Sequence, residues 1–221
     1  MGKGKLAKFE ENKLFANLFQ PTYVEAVSGF PLKGQWAQTF FHNTADIVLE
    51  LGCGKGEYTV GLARKYPYRN FIGIDIKGAR LWRGLKTATN EQLPNVAFLR
   101  TRIHNITLFF APNEVSELWI TFPDPQPKKE TKRLTSPPFL AHYKQLLRKD
   151  GRVHLKTDDT DLYHYTLETI QSEHHRLLLH TDDLYKNEDE TLEVKSVRTY
   201  YEQMWLDMGK TIKYIQFQLA H

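Results

Sequence analysis

The 221-residue chain carries 30 Lys and Arg against 26 Asp and Glu, a formal charge of +4, and 41% of it is hydrophobic. That is enough chain for one sizeable α/β domain with a full core. Its single cysteine, Cys53, excludes an internal disulfide and a cysteine-built zinc site; the histidines show no metal-ligand spacing, and neither a membrane-length apolar stretch nor a signal core is present, so a soluble cytoplasmic protein without bound metal is expected.

Residues 5–17 have the mixed apolar pattern of a helix (Leu6, Phe9, Leu14, Phe15), in a segment that also carries Lys3, Lys5, Lys8 and Lys13. Residues 21–33 read as irregular and 34–41 as a short helix, so that 1–43 forms a helical extension to a single domain spanning 1–221. A strand–helix rhythm follows. Strands are expected at 46–51, 70–75, 96–100, 116–121 and 151–157, and helices at 57–66, 78–92, 137–149 and 160–172. Alternation at this spacing, with near-continuous apolar strands such as Ile47-Val-Leu and Phe71-Ile-Gly-Ile, predicts a parallel sheet covered on both faces. His174-His175 reads as a polar pair at a strand entrance. The last third changes character: 176–180 and 211–219 read as strands that add an antiparallel pair to the sheet edge. Between them lie an acidic run (Asp182, Asp183, Glu188, Asp189, Glu190, Glu193) and a helix over 197–208 closed by Gly209.

In open α/β sheets ligands sit at the carboxyl ends of the strands. The first strand ends in Glu50-Leu-Gly-Cys-Gly-Lys-Gly56, a strand–turn–helix junction in which Gly52, Gly54 and Gly56 let the backbone bend and a ligand approach. The dinucleotide fingerprint G-x-G-x-x-G fails, because its third glycine would fall at Glu57, and no phosphate-loop G-K-[ST] follows. The pattern acidic-x-Gly-x-Gly-x-Gly resembles the first motif of the Rossmann-like methyltransferases that bind S-adenosylmethionine, whose sulfonium and ammonium suit an acid at the strand end. With the antiparallel edge pair, it implies their seven-stranded, mostly parallel fold. Cys53 reads as a small residue filling the turn. Asp75, ending the second strand about 20 residues past the turn, suits the two ribose hydroxyls of an adenosine; the bland alternative is a loop-start Asp. Asn105 suits the adenine edge or, equally, a helix N-cap.

The fourth strand runs into Thr121-Phe-Pro-Asp-Pro-Gln-Pro-Lys-Lys129, and five of the ten prolines lie between 123 and 138. Pro123 and Pro125 leave Asp124 little conformational choice. A stiff loop holding one carboxylate at the carboxyl end of a sheet is where a methyl acceptor would be positioned. A basic run, Lys128, Lys129, Lys132 and Arg133, follows directly and suits a polyanion.

The stretch Phe122-Pro-Asp-Pro-Gln-Pro-Lys-Lys129 with Lys132-Arg133-Leu134 resembles the signature of the bacterial tRNA (guanine-N7-)-methyltransferase family. Lys156-Thr-Asp158 at the end of the fifth strand, and Thr199-Tyr-Tyr-Glu202 with the downstream Gly209, match further family segments in order and spacing, over roughly residues 44 to 219. Gln126 stands where the family usually has Trp, and the basic run after Lys129 is a residue or two shorter. The resemblance implies S-adenosyl-L-methionine as cofactor and tRNA as partner, in a monomer or homodimer. It implies contacts to the cofactor from Glu50, Gly52, Gly54, Asp75, Asn105 and Asp124, with Asp124 also the active-site acid. Lys128, Asp158, Thr199, Tyr200, Tyr201 and Glu202 match substrate-binding positions. Read alone, Lys128 is equally a surface lysine, Asp158 a cap for the helix near 160, and Glu202 a solvent-facing helix residue. The acceptor implied is N7 of the variable-loop guanine. Three rivals remain at this stage: a methyltransferase acting on another RNA or a small molecule, a nicotinamide oxidoreductase, against which Glu57 argues, and a non-catalytic RNA-binding module that keeps the fold.

Overall fold

The computed structural model describes residues 3–186 and 193–221. Glu188, Asp189 and Glu190 of the acidic run lie outside them. The chain forms two compact units, Met1–Ala111 and Pro112–His221.

In the first unit, α1 (Lys3–Asn12) is followed by β1 (Leu18–Phe19), α2 (Tyr23–Gly29), a π-helical turn (Trp36–Phe40), β2 (Ile47–Leu51), α3 (Glu57–Lys65), β3 (Asn70–Ile74), α4 (Gly78–Asn90), β4 (Val96–Leu99) and a 3₁₀ helix (Ile103–Leu108). The strands run parallel in the order β1-β4-β3-β2. Every residue of β2, β3 and β4 is buried, as a parallel sheet with both faces covered requires. The helix expected over 5–17 stops at Asn12, whose side chain donates to Gly78 O at 2.8 Å. The chain then turns into β1, with Phe98 N donating to Asn17 O at 2.8 Å and Arg100 N to Phe19 O at 2.8 Å. Sheet pairing therefore overrides helix periodicity here. Residues 21–33, expected to be irregular, contain α2. Its start is a capping box in which Glu25 N donates to Thr22 Oγ1 at 3.2 Å and Thr22 N to Glu25 Oε2 at 2.6 Å. The end of the 1–43 segment is packed into the first unit, since Trp36 is fully buried, stacks on Phe110 and donates from Nε1 to Phe109 O at 2.9 Å.

The second unit contains β5 (Val115–Thr121), a 3₁₀ turn (Glu130–Lys132), α5 (Pro137–Lys144), β6 (Leu147–Thr157), α6 (Thr160–Ser172), β7 (Arg176–Thr181), a 3₁₀ turn (Glu193–Lys195), α7 (Tyr200–Asp207) and β8 (Lys213–Gln218). β5 and β6 pair in parallel, whereas β8 pairs antiparallel with both β6 and β7. This is the expected antiparallel edge pair. The helix expected to reach 149 ends five residues early. Val115 N donates to Leu146 O at 3.1 Å, and β6 enters the sheet at Leu147 with a register shift between Val115 and Glu117. Among the described residues there are eight strands where seven were expected; the two-residue β1 is the addition. His174-His175 does precede β7, with His174 at φ +56°.

Candidate active-site residues

Chain geometry brings the glycine turn and Asp75 together. Gly52 N and Cys53 N both donate to Ile74 O, at 2.8 and 3.0 Å, fastening the turn after β2 to the end of β3. Asp75 Oδ2 accepts from Gly54 N at 3.0 Å and Oδ1 from Lys77 N at 2.7 Å. A carboxylate offers about four lone-pair directions, so both oxygens keep acceptor capacity for a ligand's hydroxyls. Glu50, buried at the end of β2, accepts on Oε2 from Thr59 N at 2.9 Å and, in a shorter bond, from the Thr59 hydroxyl. It thereby caps the start of α3, where a negative charge is favoured by the helix dipole.

The glycines of the turn divide into two kinds. Gly54 and Gly56 are both left-handed, at φ +56° and +69°. A Cβ on Gly56 would stand 2.5 Å from Phe98 Cε1, so Gly56 is required by packing. A Cβ on Gly54 would meet nothing within 4 Å. Open space beside a backbone N–H that already holds Asp75 is the geometry of a ligand cradle. Cys53 faces inward. Its burial and the Glu50 and Asp75 carboxylates push the thiol well above its usual range, which supports the small-filler reading. Asn105 is half-buried within the 3₁₀ helix, whose N-cap is Arg102, so the capping alternative for Asn105 falls.

In the second unit Asp124 is exposed on the loop after β5. Thr121 lies opposite Lys156 in register, and Phe122 N donates to Lys156 O at 2.8 Å. Asp124 and Asp158 therefore leave the carboxyl ends of adjacent parallel strands, three residues past Thr121 and two past its partner Lys156. The proline-rich loop is strained: Phe122 and Gln126, neither of them glycine, sit at φ +48° and +47°, each costing about 1–3 kcal/mol. Asp124 Oδ1 accepts from Gln126 N at 3.1 Å, which braces its carboxylate. Lys128, Lys129 and Lys132 are exposed, but Arg133 is not: it is 5% exposed and turned inward. Composition gave no signal for that; Arg133 looked like one more member of a basic run.

Asp158 does not cap α6. Asp159 does, accepting from Leu162 N at 2.7 Å. Asp158 Oδ2 instead accepts from Lys210 Nζ at 2.8 Å, and Lys210 lies 3.8 Å over the Trp205 ring. Tyr200 and Tyr201 are exposed on the first turn of α7, and Thr199 is its buried N-cap. Glu202 is neither solvent-facing nor available for direct contact. It is fully buried, and its Oε1 lies 2.7 Å from the equally buried Lys156 Nζ and accepts from Tyr185 Oη at 2.5 Å. Glu202 also closes a capping box with Thr199. Lys156 donates to Val194 O at 2.9 Å and Val197 O at 3.3 Å. Burial pushes the Lys156 ammonium below its usual pKa, while Glu202 pulls it back. The only sequence hint of this anchor was the place of Lys156, two residues after His154 and so on the same face of β6, between Leu155 and Thr157.

A family model described as a putative methyltransferase matches residues 44–215. The tRNA (guanine-N(7)-)-methyltransferase of Christiangramia forsetii is 56% identical over 98% of this chain and 98% of its own length. That of Porphyromonas gingivalis is 54% identical over 93% of this chain and 86% of its own. The chain belongs to the tRNA (guanine-N(7)-)-methyltransferase family. Among solved structures, the 16S rRNA methyltransferase KamB is 15% identical with a TM-score of 0.65, covering 83% of this chain and 92% of that one, a likeness of fold. For this member of the family, the nicotinamide oxidoreductase reading is set aside.

Two expectations follow. Gly54→Ala should cost about 1–2 kcal/mol through its left-handed backbone alone, whereas Gly56→Ala should cost clearly more, because Phe98 must also move. Urea unfolding of the two variants compares them, and equal costs would mean the ring yields freely. Separately, Glu202→Ala should destabilise by about 3–5 kcal/mol by stranding a buried ammonium, and Lys156→Met with Glu202→Leu should recover most of that loss. Thermal unfolding reads both; a double variant no better than the single one would show that the charge is not what costs.

Proposed function

We propose that this protein transfers a methyl group from S-adenosyl-L-methionine to N7 of a guanine in tRNA, and that the guanine is the variable-loop one. The observation that carries the reading is near-full-length identity of 56% to a protein bearing that activity in its name. The open cradle at Gly54 beside Asp75 adds to it, as does the braced Asp124. Other methyl acceptors, and a fold kept only for RNA binding, are outcomes of the test below. The reading includes a single functional domain, cytoplasmic location and a monomer or homodimer. No helix among the described residues is long and apolar enough to cross a membrane, and no three His, Cys, Asp or Glu side chains gather as a metal-holding group there.

When bound, S-adenosylmethionine supplies an electrophilic methyl on a positively charged sulfur. The residues present in the first unit fit such a ligand: Asp75 offers acceptors for the ribose and Gly54 leaves backbone approach open; Glu50, Gly52, Asn105 and Asp124 are proposed as further contacts on the family resemblance alone. Guanine N7 presents an in-plane lone pair and no proton, so the chain needs no general base and contributes mainly positioning. Asp124 stabilises positive charge developing on the guanine ring and is braced for that role by Gln126 N. Asp158 accepts from the N1 and N2 edge and so selects guanine over adenine, sharing its carboxylate with Lys210. Exposed Tyr200 and Tyr201 provide flat surfaces for an unstacked base. Lys128 neutralises phosphate, while Thr199 and Glu202 act from below by holding the start of α7.

Radiolabelled methyl transfer to unmodified tRNA, followed by nucleoside analysis, should yield 7-methylguanosine; label in another nucleoside would overturn the acceptor, and no label the activity. Asp124→Ala should abolish most turnover with little change in melting temperature, because the residue is exposed. The chemical step should show no ascending pH limb between about 6 and 8, since no base is titrated.

The inward turn of Arg133 leaves Lys128, Lys129 and Lys132 as the exposed cations of the loop. With about three to five phosphates neutralised, the log–log salt slope of tRNA binding should lie at roughly −2 to −4. Lys129→Ala with Lys132→Ala should flatten it by about one to two units, equally for all tRNAs. A slope indifferent to both changes would make the run a solvated loop.

A further inference from the structure

We infer that Arg133 is a positioning residue for Asp124 rather than a contact to RNA; the inference rests on the reading of Asp124 just given. Arg133 lies at the end of a lysine-rich run, yet it is 5% exposed where Lys128, Lys129 and Lys132 face solvent. Its Nε donates to Pro125 O at 3.0 Å, the carbonyl next along the chain from Asp124. The guanidinium carbon lies 4.3 Å over the Tyr165 ring of α6, and one terminal nitrogen lies 3.3 Å from Glu130 Oε1. Backbone bonds fix the frame on both sides, with Arg133 N donating to Glu130 O at 2.9 Å and Ser136 N to Arg133 O at 3.0 Å.

These contacts answer a mechanical problem. The Asp124 loop holds left-handed backbone at Phe122 and Gln126, and such strain persists only where surrounding structure over-determines it. The Gln126 N to Asp124 Oδ1 bond is local to the loop. Arg133 ties the loop to a helix. Its planar cation stacks on Tyr165 and directs Nε at Pro125 in one rigid piece, a geometry that lysine cannot reproduce, having neither the plane nor a second nitrogen to share between Pro125 and Glu130. Since the proposed reaction depends on alignment, a small displacement of Asp124 appears in turnover and not in affinity for tRNA.

The test compares wild-type protein with Arg133→Lys, Tyr165→Leu, Lys132→Ala and Asp124→Ala, on unmodified tRNA. Arg133→Lys keeps the charge, so the salt slope and KM for tRNA should stay at wild-type values. Its kcat should fall on the order of 10²-fold, the scale of a misplacement of about 1 Å. Tyr165→Leu, which removes the ring beneath the guanidinium but no charge, should lower kcat in the same direction. Lys132→Ala should instead flatten the salt slope. A kcat retained by both Arg133→Lys and Tyr165→Leu, while Asp124→Ala is inactive, would overturn the positioning role and leave the reading of Asp124 standing. A raised KM and flattened slope in Arg133→Lys with kcat intact would make Arg133 a phosphate contact. Full turnover in Asp124→Ala would defeat the active-site reading itself, and the inference with it. If Arg133→Lys fails to fold, Tyr165→Leu decides by the same split between kcat and KM.

Discussion

The ring of Phe98 is the constraint on which the first unit depends. It occupies the space that Cβ atoms would take on three glycines from three different elements: Gly56 at the head of α3, Gly73 in β3 and Gly84 in α4, at 2.5, 2.8 and 2.6 Å. An aromatic ring in β4 can sit there only because all three positions lack side chains, and the interior is packed too densely to leave the gap unfilled. The turn after β2 is therefore seated from below. Gly56 and Cys53 look inward at Phe98 and Gly73, and Gly54, between them in sequence, opens outward beside Asp75. Packing thus separates the two glycines: Gly56 is held against Phe98, whereas Gly54 keeps open space at the position proposed for the ligand.

The second unit solves its equivalent problem with charge. One face of β6 presents His154 and Lys156, with His154 stacked 3.8 Å from Trp119 and 2.8 Å from Tyr214 Oη. Lys156, paired with Glu202, also takes the carbonyls of Val194 and Val197. Those carbonyls belong to residues 193–199, a stretch that holds one 3₁₀ turn and no strand, so a side-chain donor satisfies polar groups that no ladder takes up. A buried ion pair adds little net stability over an apolar pair, but breaking it is costly. Its use here is to set one position for α7 relative to β6, and hence for Tyr200, Tyr201 and the Lys210–Asp158 pair.

Legibility followed from the range of the interaction. Strands β2 to β4 and helices α3, α4 and α6 were readable because continuous apolar runs and alternating spacing are local signals. The Thr22-x-x-Glu25 capping box was equally local and was passed over amid Pro21 and the glycines nearby. The ends of α1 and α5 were not readable, since each is cut short by pairing with a strand distant in sequence. Among the candidate site residues, Glu50, Asp75 and Asp124 stand out in the sequence because strand ends and prolines mark them. Glu202 and Arg133 were assigned outward-facing roles because residue type carries no information about direction. A glutamate on a helix and an arginine in a basic run are exposed as a rule. Their burial comes with long-range partners, Lys156 and Tyr185 for Glu202 and Tyr165 for Arg133, that no pattern within either segment encodes.

This division bears on how catalytic work is spread over the chain. A transfer to a lone pair that carries no proton leaves few groups with chemistry to perform, and alignment of the reacting atoms becomes the main contribution of the protein. Precision of alignment is a property of supports. Asp124 stands on two strained residues braced by a turn bond and by an inward arginine. Asp158 is held at one oxygen by Lys210, whose position depends on Trp205 at the end of α7. α7 in turn starts at a capping box whose glutamate is pinned by a buried lysine. Each of these carboxylates is thus the end of a chain of contacts running back into its own unit. On the roles proposed for Asp124 and Asp158, alignment therefore depends on residues beyond those a substrate would touch, Arg133, Lys156 and Glu202 among them.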